Sequence, residues 1–368
     1  MIINSKKFFL IFIFLLLTTL LSISLINFTI DPENIYKKTI QFVKSEPNTR
    51  KVVEELKSKK KLMIVNQKIW NDREFTNYLL ELSTNEECFL IGSSQIRLIS
   101  VVLEPKILNK TCNSLINLGL NGASIEDYLA IFNRIRLKKV KNKKIIIAIH
   151  PWTLNFNRDG RWTYNQNDFS EFINLIFTQD KILKKNRTNK ENNNFFKITQ
   201  NLINFEYFKA SIKKITQKNK NLFIFKNKFE IRDEDFEKNI IFYDGSIIKN
   251  KNEKININLL DNVIHYKIFK DLYYDTDVIK ILKLSVRELR KDNEVIFLMT
   301  PYHPEVWKLK NEPIYQAMIQ TEKITKIIAS DMNIDLIGSF NPKKISCSEK
   351  EFHDFLHSTK LCLSKLEN

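Results

Sequence analysis

Between Phe8 and Ile30 the chain carries no charged residue and is built mostly of Phe, Leu and Ile. As a helix rising about 1.5 Å per residue, such a run is long enough to cross a hydrocarbon layer of about 30 Å. It divides the molecule into a short tip with a membrane anchor, residues 1–30, and a long remainder on one side of a bilayer. Lys6 and Lys7 precede the run, so the positive-inside tendency places the N-terminus in the cytoplasm and everything after Asp31 outside it, in a periplasm or on the outer surface. The alternative is a cleaved signal peptide, with Ser22 and Ser24 as the small residues of the cleavage site. A retained anchor is favoured because the run exceeds the usual apolar core of about 7–15 residues. Either reading exports the rest of the chain.

Lys and Arg outnumber Asp and Glu 59 to 42, a formal charge of +17. The basic residues are spread among Asn and Ile, and neither an aromatic-basic RNA motif nor a zinc-finger spacing occurs, so nucleic acid is not an expected partner. Beside an anchor, a basic exterior is expected to favour anionic lipid headgroups or acidic glycans. The four cysteines are an even number in an exported chain, where disulfides are permitted. A bridge from Cys347 to Cys362 would close a loop of about fifteen residues, worth roughly 3 kcal/mol in the chain-entropy model. Cys88 and Cys112 open or precede two candidate strands and would pair if those strands are neighbours; free thiols are the alternative for both pairs.

Residues 31–85 are charged and amphipathic, with Lys51–Leu62 reading as a helix, and suggest a helical stalk or cap. From residue 86 to 368, short apolar runs alternate with helical patterns, as expected of a parallel sheet with crossover helices. The candidate strands are Cys88–Ile91, Ser114–Leu118, Lys144–Ile149, Glu294–Met299 and Ile334–Ile337. Helical patterns cover Ile125–Leu137, Asp277–Lys291 and Pro313–Met332. The expected fold is α/β: a three-layer, doubly wound, flavodoxin-like sheet of five parallel strands. It is interrupted at about 156–275 by an Asn- and Lys-rich insertion, exemplified by Lys181–Asn194, with a hairpin around Tyr243-Asp244-Gly245-Ser246. The insertion is read as part of a cap or substrate-binding lobe.

In open parallel sheets, chemistry collects outside the carboxyl ends of the strands. Past the five candidate strands come Gly92-Ser93-Ser94-Gln95, then Gly119-Leu120-Asn121-Gly122-Ala123-Ser124, then His150-Pro151-Trp152, then Pro301-Tyr302-His303-Pro304, and last a loop reaching His353-Asp354-Phe355-Leu356-His357. Four of the five histidines, all but His265, fall on this one expected rim. Small residues around Ser94 let a hydroxyl stand clear of the sheet; the plainer reading is a helix-capping serine. Asp354 lies three residues before His357, close enough for a carboxylate to fix the imidazole tautomer; the plainer reading is a solvated helix start. On a shared rim the three residues form a candidate acyl-transfer triad. Trp152, Trp162 and Trp307 are candidates for stacking on sugar rings, with a core role as the alternative. A metal site from His150, His303, His353 and His357 lacks a recognised ligand spacing, so neither metal nor other cofactor is expected.

This pattern resembles the SGNH, or GDSL-like, hydrolase superfamily, with Ser94 at the nucleophile position, Gly119 or Gly122 at the glycine after the second strand, and Asp354 with His357 in the last block. Within it the chain is similar to the membrane-anchored branch that includes the D-alanyl transfer protein of teichoic acid synthesis and the alginate O-acetylation proteins. The likeness is carried by Asn117–Ser124, Pro301–Pro304 and Phe352–His357. It covers roughly Cys88–Asn155 and Glu294–Leu366. The resemblance implies serine-dependent acyl transfer or deacylation, chiefly O-acetylation, of a cell-surface polysaccharide, beside a membrane-bound O-acyltransferase as partner. It implies an oxyanion site from the amides of Ser94 and Gly119, with Asn121, Asn155, His150 and His303 as further oxyanion or substrate-binding candidates. The third block departs from the family's Gly-x-Asn-Asp, so the oxyanion asparagine is absent or displaced to Asn155. The alternative function is a non-catalytic accessory protein that keeps the fold to bind glycan or a membrane O-acyltransferase.

Overall fold

The computed structural model describes residues 5–30, 49–65, 71–83, 85–100, 102, 108, 111–156, 159–179, 201–216, 223–227, 238–248 and 275–366. It groups residues 1–46 with 181–221 as one compact unit, and 47–180 with 222–368 as another. His265, the first part of the expected stalk, and the stretch Lys181–Asn194 lie outside the described residues.

The first unit contains helix α1 (Ser5–Ile30), the single helix among the described residues long and apolar enough to cross a membrane, over Lys7–Ile30. In the second unit, α2 (Thr49–Ser58) leads into strand β1 (Leu62–Val65) and helix α3 (Asp72–Glu81). The helix expected over Lys51–Leu62 therefore stops four residues early. Lys60 takes a left-handed φ of 47°, and Lys61 N–H bonds back to Leu56 O at 3.1 Å, which closes the helix as a Schellman turn does and frees Leu-Met-Ile-Val to pair as a strand.

Next come β2 (Cys88–Ile91), β3 (Leu115–Asn117), α4 (Ile125–Leu137), β4 (Lys144–Ala148) and α5 (Gln166–Gln179). Helix α6 (Phe205–Thr216) belongs to the first unit. The chain returns to the second with β5 (Phe223–Lys226), β6 (Asn239–Phe242), β7 (Ile247–Ile248), α7 (Thr276–Leu289), β8 (Glu294–Met299), α8 (Pro304–Lys308), α9 (Pro313–Met332), β9 (Asp335–Gly338) and α10 (Lys360–Leu363).

Five strands, all parallel, form one sheet in the order β3-β2-β4-β8-β9. Counted along the chain this is 2-1-3-4-5, the order of a doubly wound sheet whose switch point lies between its first and third strands. Cys-Phe-Leu-Ile of β2 is buried along its whole length, and β4 after its first residue, so both read as unbroken apolar runs. At the head of α4, Ser124 and Asp127 form a reciprocal capping box. Asp127 also receives the guanidinium of Arg73 at 2.9 and 2.7 Å, so one buried ion pair locks α3 to the start of α4.

A second, antiparallel sheet has the order β5-β1-β6-β7. It joins a strand from the region read as stalk to strands from the region read as insertion. The expected hairpin is its β6–β7 pair. Gly245 turns it with φ 85°, where any Cβ would run into the Asn117 carbonyl. That contact has a purpose in the fold: Asn117 N–H bonds to Asp244 O at 2.7 Å, so the hairpin tip covers the open edge at β3. Leu62, Ile64, Ile240 and Phe242 share one apolar core with Cys88, Leu90 and Ile146.

Candidate serine active site

The end of β2 sets the first component. A Cβ on Gly92 would lie 2.8 Å from both Ala148 Cβ and Ile96 Cδ1, so only glycine lets β2 press against β4 and turn at once. Ser93 is extended and opens a single 3-10 turn, Ser94–Ile96. Ser93 is buried, whereas Ser94 stands partly exposed at the bend.

The structure brings Ser94, His357 and Asp354 into one hydrogen-bonded chain. Ser94 Oγ lies 2.8 Å from His357 Nε2, across 263 residues of sequence. His357 Nδ1 lies 2.8 and 2.7 Å from the two Asp354 oxygens. A carboxylate only accepts hydrogen bonds, so Nδ1 must carry the proton of a neutral ring. Nε2 is then a bare acceptor facing the Ser94 hydroxyl. Asp354 Oδ1 also takes the N–H groups of Leu356 and His357, each at 2.8 Å, which fixes the carboxylate within its own turn.

Several bonds hold this loop against the sheet. Gln95 Nε2 donates to Leu356 O at 3.0 Å, tying the residue after the serine to the residue before the histidine. His303 N–H donates to Phe355 O at 3.2 Å, and Ser358 Oγ to Pro301 O at 2.9 Å, both from the segment past β8. A bridge between Phe352 and Ser358 closes the loop at its base. Outside it stands the disulfide Cys347–Cys362; a second, Cys88–Cys112, lies under the start of β2.

The other expected site residues take different places. The Gly119 N–H, expected at an oxyanion, is already bonded to Asn117 Oδ1 at 2.9 Å. Asn117 is buried, so its amide needs partners: its nitrogen donates to Ile96 O and Ile99 O, and its oxygen takes the nearest N–H. The backbone N–H groups of Ser94 and Gln95, by contrast, have no acceptor among the described residues. Asn121 sits half-buried on the rim, its backbone held by Asp72 Oδ2 at 3.3 Å and by Arg73 at 3.3 Å. Asn155 lies buried in the turn after β4, with its N–H on Trp152 O at 3.2 Å.

From that strand end it is His150 that touches the serine turn, through its Nε2 accepting Ser93 N–H at 3.3 Å. His150 is wholly buried and stacked on Trp152, and burial, reinforced by the neighbouring His357, drives its pKa down to about 3. The ring is therefore neutral, with its proton on Nδ1, a buried donor that has no partner among the described residues. His150 supports the turn from behind and is not presented to a ligand. His303 is likewise structural: its Nδ1 caps α8 by accepting Glu305 N–H at 3.1 Å, its ring meets Phe352 and Phe355 edge-on, and burial lowers its pKa. Trp152 and Trp162 are buried, the former bonded to Ala123 O, so neither is a sugar platform. Trp307 is half-buried against Tyr315.

Two features of the rim were not singled out from sequence. Gln95 follows the serine directly, but only the folded loop gives it Leu356 to hold. Beside it, Arg97 bonds Gly119 O at 3.2 Å and pairs with Asp72 at 2.9 Å, clamping the glycine loop to the serine turn. Among the described residues no group of three His, Cys, Asp or Glu is placed to hold a metal ion. Comparison with protein-family models and with curated proteins finds no match to this chain.

Proposed function

We propose that the chain is a serine-dependent acyl-transfer enzyme of the SGNH type, anchored by α1 and acting outside the cytoplasm on a cell-surface polysaccharide. The observation that carries this reading is the Ser94–His357–Asp354 chain, with contacts of 2.8, 2.8 and 2.7 Å. The 2-1-3-4-5 sheet and the location of the serine just past its first strand support the assignment to that superfamily. The two disulfides agree with an oxidising compartment. Lys6 and Lys7 favour export of the larger unit, and residues 156–275 are read as an insertion that contributes to a substrate lobe.

In this mechanism Ser94 Oγ attacks the carbonyl carbon of an acyl donor while His357 Nε2 takes its proton. The C–O bond to the donor breaks as His357 returns that proton to the leaving oxygen. An acceptor sugar hydroxyl, or water, then gives its proton to His357 and attacks the acyl-serine, and the acyl C–O bond to Ser94 Oγ breaks as His357 returns that proton to Oγ. Asp354 holds the tautomer and stabilises the imidazolium. The developing oxyanion is assigned to the N–H groups of Ser94 and Gln95, since that of Gly119 is occupied. No cofactor enters these steps. An acetyl donor and a membrane-bound O-acyltransferase partner follow from the resemblance.

The test is labelling of the full-length protein by a fluorophosphonate beside Ser94→Ala. Labelling that is lost in the variant supports the nucleophile; labelling that persists refutes it. Absence of labelling in both, together with glycan binding, favours the accessory-protein reading.

A further inference from the structure

Helix α1 contains several polar side chains, and most satisfy themselves within the helix: Thr18, Thr19, Ser22 and Thr29 bond back to carbonyls of the preceding turn. Asn27 is different. It is fully buried, and its amide donates to Leu202 O at 2.9 Å and Asn204 O at 3.2 Å and accepts from Ser211 Oγ at 3.1 Å. A side-chain amide near the end of a mostly apolar span is costly where it faces acyl chains unless another segment meets it. Here the segment leading into α6, and α6 itself, meet it.

The two faces of α6 then differ. Tyr207 and Ser211, four residues apart, are buried. Phe205 and Ile212, seven residues apart and so on one stripe of a helix, are 59% and 38% exposed, with Ile203 just before them at 58%. The Lys209 ammonium lies over the Phe205 ring at 5.0 Å. Depth follows from arithmetic: twenty residues separate Lys7 from Asn27, a rise of about 30 Å and so about one hydrocarbon thickness. With Lys7 at one boundary, Asn27 lies at the other, and Leu202, Asn204 and Ser211, which bond to it, lie at the same level.

We propose that α6 is an interfacial membrane-binding helix, docked on the anchor through Asn27, that lays Ile203, Phe205 and Ile212 into the boundary between headgroups and acyl chains of the leaflet where α1 emerges. Three observations select lipid as the occupant: the exposed apolar side chains belong to a segment bonded directly to the anchor at Asn27, the depth of that contact matches the interface, and Lys209 sits beside them, where its stem can lie along them and its ammonium reach phosphate. The proposal rests on α1 being a membrane span and is independent of the serine chemistry.

The experiment uses full-length protein in vesicles of phosphatidylcholine and phosphatidylglycerol, with a nitrobenzoxadiazole label on one engineered cysteine: Leu17→Cys in the middle of α1, Phe205→Cys or Ile212→Cys. Lipids carrying a doxyl quencher near the headgroup or deep in the acyl chain report depth. The expected result is deep quenching at 17 and roughly twofold shallow quenching at 205 and 212, as for a helix lying in the interface. Quenching at 17 with none at either 205 or 212 overturns the proposal and leaves the anchor standing. No quenching at any position overturns the anchor and the proposal with it. The second exposed position keeps the test decisive if one variant folds poorly.

Discussion

Asp354→Asn separates a working triad from three polar groups that merely lie close. The substitution changes almost no volume, and an amide oxygen in the Oδ1 position keeps the hydrogen bonds from Leu356 N–H and His357 N–H, both 2.8 Å. The amide nitrogen then occupies the Oδ2 position, 2.7 Å from His357 Nδ1. The amide oxygen, 2.8 Å from Nδ1, already takes two backbone N–H groups, so the closer contact is to the amide donor, and the imidazole relieves it by moving its proton to Nε2. The nitrogen 2.8 Å from Ser94 Oγ becomes a donor and can no longer accept the serine proton. A wrong tautomer of this kind costs about 10⁴ in rate, or about 5.5 kcal/mol of transition-state stabilisation. The measurement is the second-order rate of Ser94 modification by a fluorophosphonate at neutral pH, parent against variant, with thermal midpoints recorded on the same samples. The midpoint should move little, because the turn's backbone bonds survive. A variant that keeps its midpoint and reacts within about tenfold of the parent would refute the reasoning, since the tautomer argument requires a far larger loss.

Three further outcomes are expected. Because the folded pKa of His150, about 3, lies below its unfolded value of about 6.5, the native state binds fewer protons than the unfolded one. Its contribution is complete above about pH 6.5 and is lost as pH falls toward 3, at up to about 1.4 kcal/mol per pH unit; urea midpoints of His150→Gln between about pH 6 and 4 should fall less steeply than the parent's, and equal slopes would count against it. Removing the Cys347–Cys362 bridge as a double serine variant opens a loop spanning 15 residues and should lower unfolding free energy by roughly 3 kcal/mol, measured by denaturant titration. Arg73→Met leaves Asp127 buried without its cation, with side-chain exposures of 2% and 0% in the parent pair, and should cost about 3–5 kcal/mol in the same titration.

The parallel sheet was readable from the chain because its central strands, covered on both faces, are continuous apolar runs such as Cys-Phe-Leu-Ile and Val-Ile-Phe-Leu-Met. The convergence of Ser94 with the Asp354–His357 turn was readable for a related reason: a parallel sheet gathers the carboxyl ends of its strands, so polar residues just past them become neighbours. The antiparallel sheet was not readable. Leu62–Val65 follows a Lys- and Glu-rich helix with a single left-handed lysine between them, and its partners lie about 160 to 180 residues on, in a region whose own pattern is weak. Nor could spacing reveal that Asn117 claims the Gly119 amide, or that His150 turns inward onto Ser93. Those outcomes depend on competition between nearby donors and acceptors, which only the folded geometry decides.

The disulfide flanking the Asp354–His357 loop ties the loop's geometry to the redox state of its surroundings. A chain held in reducing surroundings would keep its serine turn, which is built by β2, Gly92 and Asn117, but would lose the covalent clasp that steadies the histidine over it. Completion of that clasp would then await surroundings that oxidise thiols, so the same sequence would hold its histidine differently on the two sides of a redox boundary.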